Sequence, residues 1–302
     1  MKKIFLLIIV SLGNYCLSYG QGTTGAQFLK LSYGARPSAL GEAFVGVSDD
    51  INAVYWNPAG LANLKNPEAS FNGALLYESI YYGSIQGAER LFQGTAAISF
   101  VYLGMDEMKG YDNAGNSISD YTADDKCLGV SYGRNLGDKT SLGGTIKIIK
   151  QSIEKEDTNS AFAMDIGGMY TLDKKTKLGF VIQNFGTKIG FNEKFSLPTT
   201  ARLGIGYKLN DNLLLLSDLN SPTDCTPSLH LGAEYTYDAL AFRLGVKTKG
   251  VNDLGWTAAL SAGIGIKIKR ITFDYAILPY GDLGLTHRVS LILRWDEKDF
   301  SK

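Results

Sequence analysis

The stretch Asp49 to Gly60, DDINAVYWNPAG, gathers the residue types most suggestive of chemistry in this chain. Asp49 and Asp50 offer two carboxylates to a cation. Tyr55 and Trp56 offer two ring faces to an apolar ligand or to a neighbouring wall. Asn57-Pro58 reads as a helix start, because Asn accepts a hydrogen bond from an otherwise unpaired N–H and Pro fills a position that needs no donor. Gly60 permits close backbone contact. Tyr55, Trp56, Asn57, Pro58, Gly60, Asp49 and Asp50 are therefore candidates for touching a ligand or gating a channel. The same residue types also serve as a plain anchor for a small helical segment.

Elsewhere the chemistry is thinner. Gly110 to Asp125, GYDNAGNSISDYTADD, is acidic but lacks the full ligand series of a calcium-binding loop, and reads as a solvated connection. The two histidines, His230 and His287, have no matched acid that would make a hydrolase triad. Phosphate-cradling loops, dinucleotide fingerprints and Cys/His metal spacings are absent. No enzyme activity, cofactor or metal is expected.

The ends place the chain. Lys2 and Lys3 precede the apolar run Ile4 to Leu12, and Ser18 and Gly20 supply the small residues of a signal-peptidase site. The run is too short to span a bilayer as a helix. Residues 1–20 read as a signal peptide. The 302 residues carry zero formal net charge, so no basic footprint points to nucleic acid. Three cysteines exclude a disulfide scaffold. Cys127 and Cys225, left after signal removal, fall on well-separated strands and are expected to be free thiols.

Alternation then dominates. In THRVSLILRW, Thr286 to Trp295, the residues Val289, Leu291, Leu293 and Trp295 share one face, and Thr286, Arg288, Ser290 and Arg294 the other, with Ile292 the exception. The same period of two recurs in 201–209, 240–247, 258–269 and 271–277. The polar face is rich in Gly, Ser and Thr, which suits a hydrated barrel interior better than a soluble surface. Fourteen strands are expected, near 69–77, 80–88, 93–104, 126–136, 140–152, 161–172, 176–185, 199–209, 212–219, 227–237, 240–249, 255–268, 271–278 and 286–295. From the third strand onward the connections alternate long and tight, as in outer-membrane barrels; the stretch 153–160 counts among the longer ones. This phase puts the N-terminal segment on the periplasmic side. Arg202, Lys208, Arg243, Lys247, Lys267, Arg288 and Arg294 should point into the lumen.

A ring of fourteen is too wide for its own side chains to fill, so it needs water or a plug. The segment before the first strand can supply one. Ala39 to Val47 reads as a helix with Leu40, Ala43, Phe44 and Val47 on one face. Glu42, Asp49 and Asp50 on this segment would then pair with lumen cations.

The run AQFLKLSYGARPSALGEAFVGVSDDINAVYWNPAGLANL, Ala26 to Leu64, resembles the N-terminal signature of the PorV/PorQ family, within the FadL-like outer-membrane barrels. The matching elements are Gly34 to Phe44, Asp49-Asp50 and Trp56 to Leu61. The resemblance implies an all-β membrane protein: a 14-stranded antiparallel transmembrane β-barrel with a small N-terminal helical hatch. It places residues 21–66 as hatch, 67–296 as barrel and 297–302 as a short tail. It implies residence among lipids of a Gram-negative outer membrane and binding or transport of a hydrophobic small molecule. The alternative it implies is a component or scaffold of a type IX-like secretion system holding a partner protein.

Overall fold

The computed structural model describes residues 22–76, 80–153, 157–249 and 255–296. The signal peptide and the tail assigned from the sequence lie outside them. Fourteen antiparallel strands close into one ring. In chain order they begin with β1 (Glu68–Leu75), β2 (Ile80–Leu91) and β3 (Gly94–Met105). A separate hairpin, β4 (Met108–Tyr111) and β5 (Ser117–Tyr121), follows and pairs only with itself. The ring resumes with β6 (Ala123–Asn135), β7 (Thr140–Ile153), β8 (Asp157–Thr171), β9 (Thr176–Gly186), β10 (Thr200–Lys208) and β11 (Leu213–Pro222). It ends with β12 (Ser228–Tyr237), β13 (Leu240–Lys247), β14 (Leu260–Ile268), β15 (Ile271–Pro279) and β16 (Leu285–Arg294), which pairs back onto β1.

The alternation in the sequence becomes an inside and an outside. Leu203, Ile205 and Tyr207 of β10, and Phe242, Leu244 and Val246 of β13, are exposed on the outer face, while Arg202 and Arg243 are buried on the inner one. Ile292 breaks the polar run of β16 because it packs inward against Ile51, Val54 and Leu61. Closure leaves no strand edge in the ring.

One rim carries tight connections, such as Phe92-Gln93 between β2 and β3 and Asp238-Ala239 between β12 and β13. Phe92, Gln93 and Asp238 take left-handed backbone there, as short hairpin turns require. The other rim carries the longer connections 106–122, 187–199 and 248–259. One expectation fails: β7 and β8 extend further than their pattern suggests, leaving only 154–156 between them. The stretch 256–259 is also a short 3-10 helix rather than the start of a strand.

A second correction concerns the N-terminal segment. No helix runs from Ala39 to Val47; helix covers Ala35–Ala39, and a series of turns follows. Gly41 and Glu42 have φ of 65° and 68°, which ends the helix. The Asp218 carboxylate then captures the N–H groups of Phe44 and Val45, each at 2.8 Å. Leu40, Ala43, Phe44 and Val47 still share one apolar cluster, closed by Trp56. The helical spacing reflected a common environment, not a common helix.

This segment threads the ring from rim to rim. Gly25 bonds Ser196 in a long connection. Ala35 donates to Ser290 in mid-strand. Asn135, beside a tight turn, donates to the Ala62 carbonyl. The interior glycines of the wall make room for it: a side chain at Gly133 would meet the Pro58 carbonyl at 2.6 Å, and Gly143, Gly167 and Gly179 are similarly closed.

Candidate functional site

The aromatic pair of the sequence sits at the centre of the threaded segment. Ala53–Trp56 form one helical turn, and Pro58–Asn63 a 3-10 helix capped by Asn57, whose side chain accepts from Ala59 N–H. Asn57 also donates to the carbonyls of Val45 and Gly168, so the same amide joins segment to wall. Trp56 is fully buried and donates to the Tyr33 carbonyl at 2.9 Å. Tyr55 stacks on Tyr33 with centroids 4.9 Å apart and donates to the Leu29 carbonyl. A side chain at Gly60 would meet Ser48 Cβ at 2.7 Å. These contacts give Trp56, Asn57, Pro58 and Gly60 an anchoring arrangement inside the wall.

At the tight-turn rim lies a charged cleft of about 560 Å³. Asp49 and Asp50 both reach it, but neither pairs with a lumen cation of the wall. They bind Arg36 of their own segment, at 2.6 and 2.8 Å. Arg36 in turn binds Glu234 of the wall at 2.8 Å, and Arg243 bridges Glu234 and Asp274 at 2.6 Å each. The polarity is thus the reverse of the expected one: the segment supplies the cation and the wall the acid. Burial alone would lower the Arg36 guanidinium, but Asp49, Glu234 and Asp50 outweigh it and hold it well above its ordinary value. Arg294 binds Glu68 at 2.7 Å beside the same cleft, and Lys267 lines it. Lys208 is exposed near the same rim.

Arg36, Glu234, Asp274 and Glu68 were not singled out from the sequence. Inward parity on β12 and β15 was the available signal for Glu234 and Asp274; nothing local marks Arg36 as their partner.

In the opposite half the expected pairing does occur once, between Lys247 and Glu42 at 2.6 Å. Burial alone would raise the Glu42 carboxyl, but Lys247, His230, Lys249 and Arg202 hold it below the ordinary carboxylate range. Arg202 lies over the Trp56 ring, 4.8 Å from its centroid. Arg288 donates to the Ser32 carbonyl.

The long-loop rim differs in kind. Phe28 and Leu29 join Cys127, Ile149, Ala161, Ala163, Ile189 and Leu197 in an apolar cluster. Beside it opens a groove of about 590 Å³ lined by Phe28, Leu103, Ile189, Phe191 and Phe195 among others. The segment is held here by Asp224, which accepts from Thr24 at 2.5 Å and from Lys30 at 2.8 Å. Next to the cluster, β9 places Gln183 and Asn184 opposite the single residue Asp165 of β8. Asp165 binds Lys147 at 2.6 Å and takes the Asn184 N–H at 2.8 Å.

The remaining candidates separate cleanly. Cys127 and Cys225 are free thiols. His287 faces outward against Tyr275, at 2.6 Å. Gly129 to Gly133, GVSYG, was not singled out from the sequence although it has the form of a nucleophile elbow; it lies inside β6, where Ser131 shares a hydrogen bond with Thr145. Asp112 in the β4–β5 hairpin caps the N–H groups of Ala114 and Asn116.

A family model described as Type IX secretion system protein PorV matches residues 20–218. No curated protein matches the chain. Among solved structures, the Pseudomonas putida toluene transporter TodX superposes with a TM-score of 0.68 at 11% identity, over 88% of this chain and 99% of that one. The Ralstonia pickettii toluene transporter TbuX gives 0.64 at 14% identity, over 87% and 98%. A Pseudomonas aeruginosa FadL homologue gives 0.62 at 12%, again over 87% and 98%. At these identities the likeness is one of fold.

Proposed function

The chain belongs to the PorV family of type IX secretion system proteins, and from that premise we propose that it is an outer-membrane barrel which takes up a hydrophobic small molecule at its long-loop mouth. The observation that carries the reading is the apolar groove between the start of the N-terminal segment and the wall. Its volume suits a small ligand, and its lining is largely apolar and aromatic. The toluene transporters that share the fold make an aromatic hydrocarbon the first probe.

In this reading the exposed Leu, Ile and Phe side chains of the outer face meet acyl chains, with the ring satisfying every backbone group that lipid cannot. The tight turns face the periplasm and the long connections face out. Residues 1–20 are removed on export. Residues 21–66 act as a hatch: fixed at the tight-turn end by Arg36, Asp50 and Glu234, and loosened at the other when a ligand displaces Phe28 and Leu29. Tyr55, Trp56, Asn57, Pro58 and Gly60 form its fulcrum, and Arg202, Arg243, Lys247, Lys267, Arg288 and Arg294 set the charge of the lumen around it.

The test is binding of toluene to the detergent-solubilised protein, followed by intrinsic aromatic fluorescence. Saturable binding is expected, weakened at least tenfold by Ile189→Asp and unchanged by Lys267→Ala at the far rim. Binding that is equal in both variants would exclude the groove.

A second reading rests on β4 and β5, which stand off the ring with Met108, Tyr111 and Ile118 exposed. With the family assignment, this hairpin is a candidate docking arm for a secretion partner. Deleting residues 108–121 would abolish co-purification of that partner while leaving toluene binding intact.

A further inference from the structure

Arg202 enters the lumen from β10 almost fully buried, at 6% exposure. Its flat face is covered by Trp56. Its edge is not satisfied: Nε and Nη1 have no hydrogen-bond partner. A buried guanidinium normally has a carboxylate or several carbonyls around it, because stripping its water without replacement is costly. Arg202 has neither on that edge.

Two of the three nearby acids are already engaged in ion pairs. Asp218, on the neighbouring strand, accepts the N–H groups of Phe44 and Val45 through Oδ2, its Oδ1 has no hydrogen-bond partner, and it makes no hydrogen bond or ion pair with Arg202 among the described residues. Glu42 is bound to Lys247, and Asp224 to Lys30. Lys249, the next cation around the lumen, has no carboxylate at ion-pair distance among the described residues. Burial lowers its ammonium first, and although Glu42 pushes the other way, Lys247, Arg202 and Lys30 lower it further. The local field is one of surplus positive charge.

Arg202, Lys249 and Lys30 all line one small, partly open cavity between the segment and strands β9 to β11. Its free volume of about 10 Å³ admits a single particle near the size of water. Gln183, Thr200 and Asn220 add polar walls, and none of the side chains lining it is acidic.

We propose that this cavity is a binding site for one small inorganic anion of halide size, held between Arg202 and Lys249. A water molecule would complete the hydrogen bonds but leave the buried Arg202 and the half-buried Lys249 without a counter-charge at contact distance. An anion does both. Because Lys30 and Tyr55 of the N-terminal segment form part of the cavity, the bound ion ties that segment to the wall beside the direct Lys30–Asp224 pair. The inference does not depend on the hydrocarbon reading, since the cavity is separate from the apolar groove.

The test uses the purified full chain in a non-ionic detergent, in sodium bromide, sodium chloride and sodium gluconate at equal ionic strength. Gluconate is too large to enter. The expected result is a thermal midpoint higher in bromide and chloride than in gluconate by on the order of 2–4 °C, together with an anomalous bromide peak in the cavity. Arg202→Gln should erase the salt difference. Should that variant fail to fold, Lys249→Met provides the same readout with less disturbance of Trp56. Equal midpoints in all three salts, or a cavity free of bromide in crystals grown from it, would overturn the proposal.

Discussion

The two mouths of this barrel are closed by different forces. At the tight-turn rim the N-terminal segment is joined to the wall by paired charges: Arg36 to Glu234, Glu234 to Arg243, and Arg243 to Asp274. Glu234 and Arg243 are each shared between two partners, so loss of either leaves two charges short of a counter-charge. At the long-loop rim the contact is mainly apolar, through Phe28, Leu29, Ile189 and Leu197, with Asp224 holding Thr24 and Lys30 at the edge. Apolar contact is non-directional and is replaceable by any apolar guest. The comparison teaches that one threaded segment can be held by directional charge pairs at one end and by non-directional apolar contact at the other.

The strongest way to break this contrast is Arg36→Met. It leaves Glu234 and Asp50 buried without their shared cation, a loss of about 3–5 kcal/mol for a broken buried pair. The expected outcome is a lowered unfolding midpoint in detergent and raised single-channel conductance in planar bilayers. Unchanged conductance would mean that the charges do not close this end.

Gly143→Val probes the same end sterically. Its new side chain would run into the backbone of Pro58, so an overpacking cost of about 1–3 kcal/mol is expected. Gly87→Ala, where nothing lies within 4 Å of the added atom, should leave the midpoint unchanged. Denaturant titrations of the pair read both effects.

Asn57→Ala removes the cap of the Pro58–Asn63 turn and the links to Val45 and Gly168. A loss of about 1 kcal/mol is expected, seen as faster proteolysis within residues 45–65 in detergent.

Acid sharpens the contrast from the other half. Glu42 has its folded carboxyl held below the ordinary range, near 4.3 in unfolded chains. Its pairing with Lys247 therefore contributes fully above that range and is lost as pH falls through the lower folded value. The contribution of this pair should be flat from neutral pH to about 5 and decline below, so the difference in stability between the parent and Glu42→Gln should shrink as pH falls below that value.

The smallest effect is expected at Asp49. Its side chain is 39% exposed although it binds Arg36 at 2.6 Å. Asp49→Asn should cost no more than about 1 kcal/mol, as exposed pairs do, whereas Asp50→Asn at the buried partner should cost more in the same melting experiment.

The wall was legible in the sequence because its signal is local: each strand announces itself by alternation, and even the misfit Ile292 marked a place where something apolar waits inside. The site was less so. Arg36 and Glu234 lie 198 residues apart, and no period links them. The spacing of Leu40, Ala43, Phe44 and Val47 imitated a helix because one pocket buries all four. What bends the chain there instead, Gly41, Glu42 and the distant Asp218, is a tertiary matter. The Asn57 cap was read correctly since it needs only its two neighbours.

The seam of the ring carries a consequence for how such a chain assembles. Strands β1 and β16 pair residues from opposite ends of the polypeptide, beginning with Glu68 against Arg294, and the threaded segment leaves the lumen at that same seam. Entropy makes this long-range zippering late and slow. If the segment must already lie within the curling sheet when the seam zips, circularisation and filling become one event, and a nascent sheet that shut early would have to unzip before its own beginning could enter.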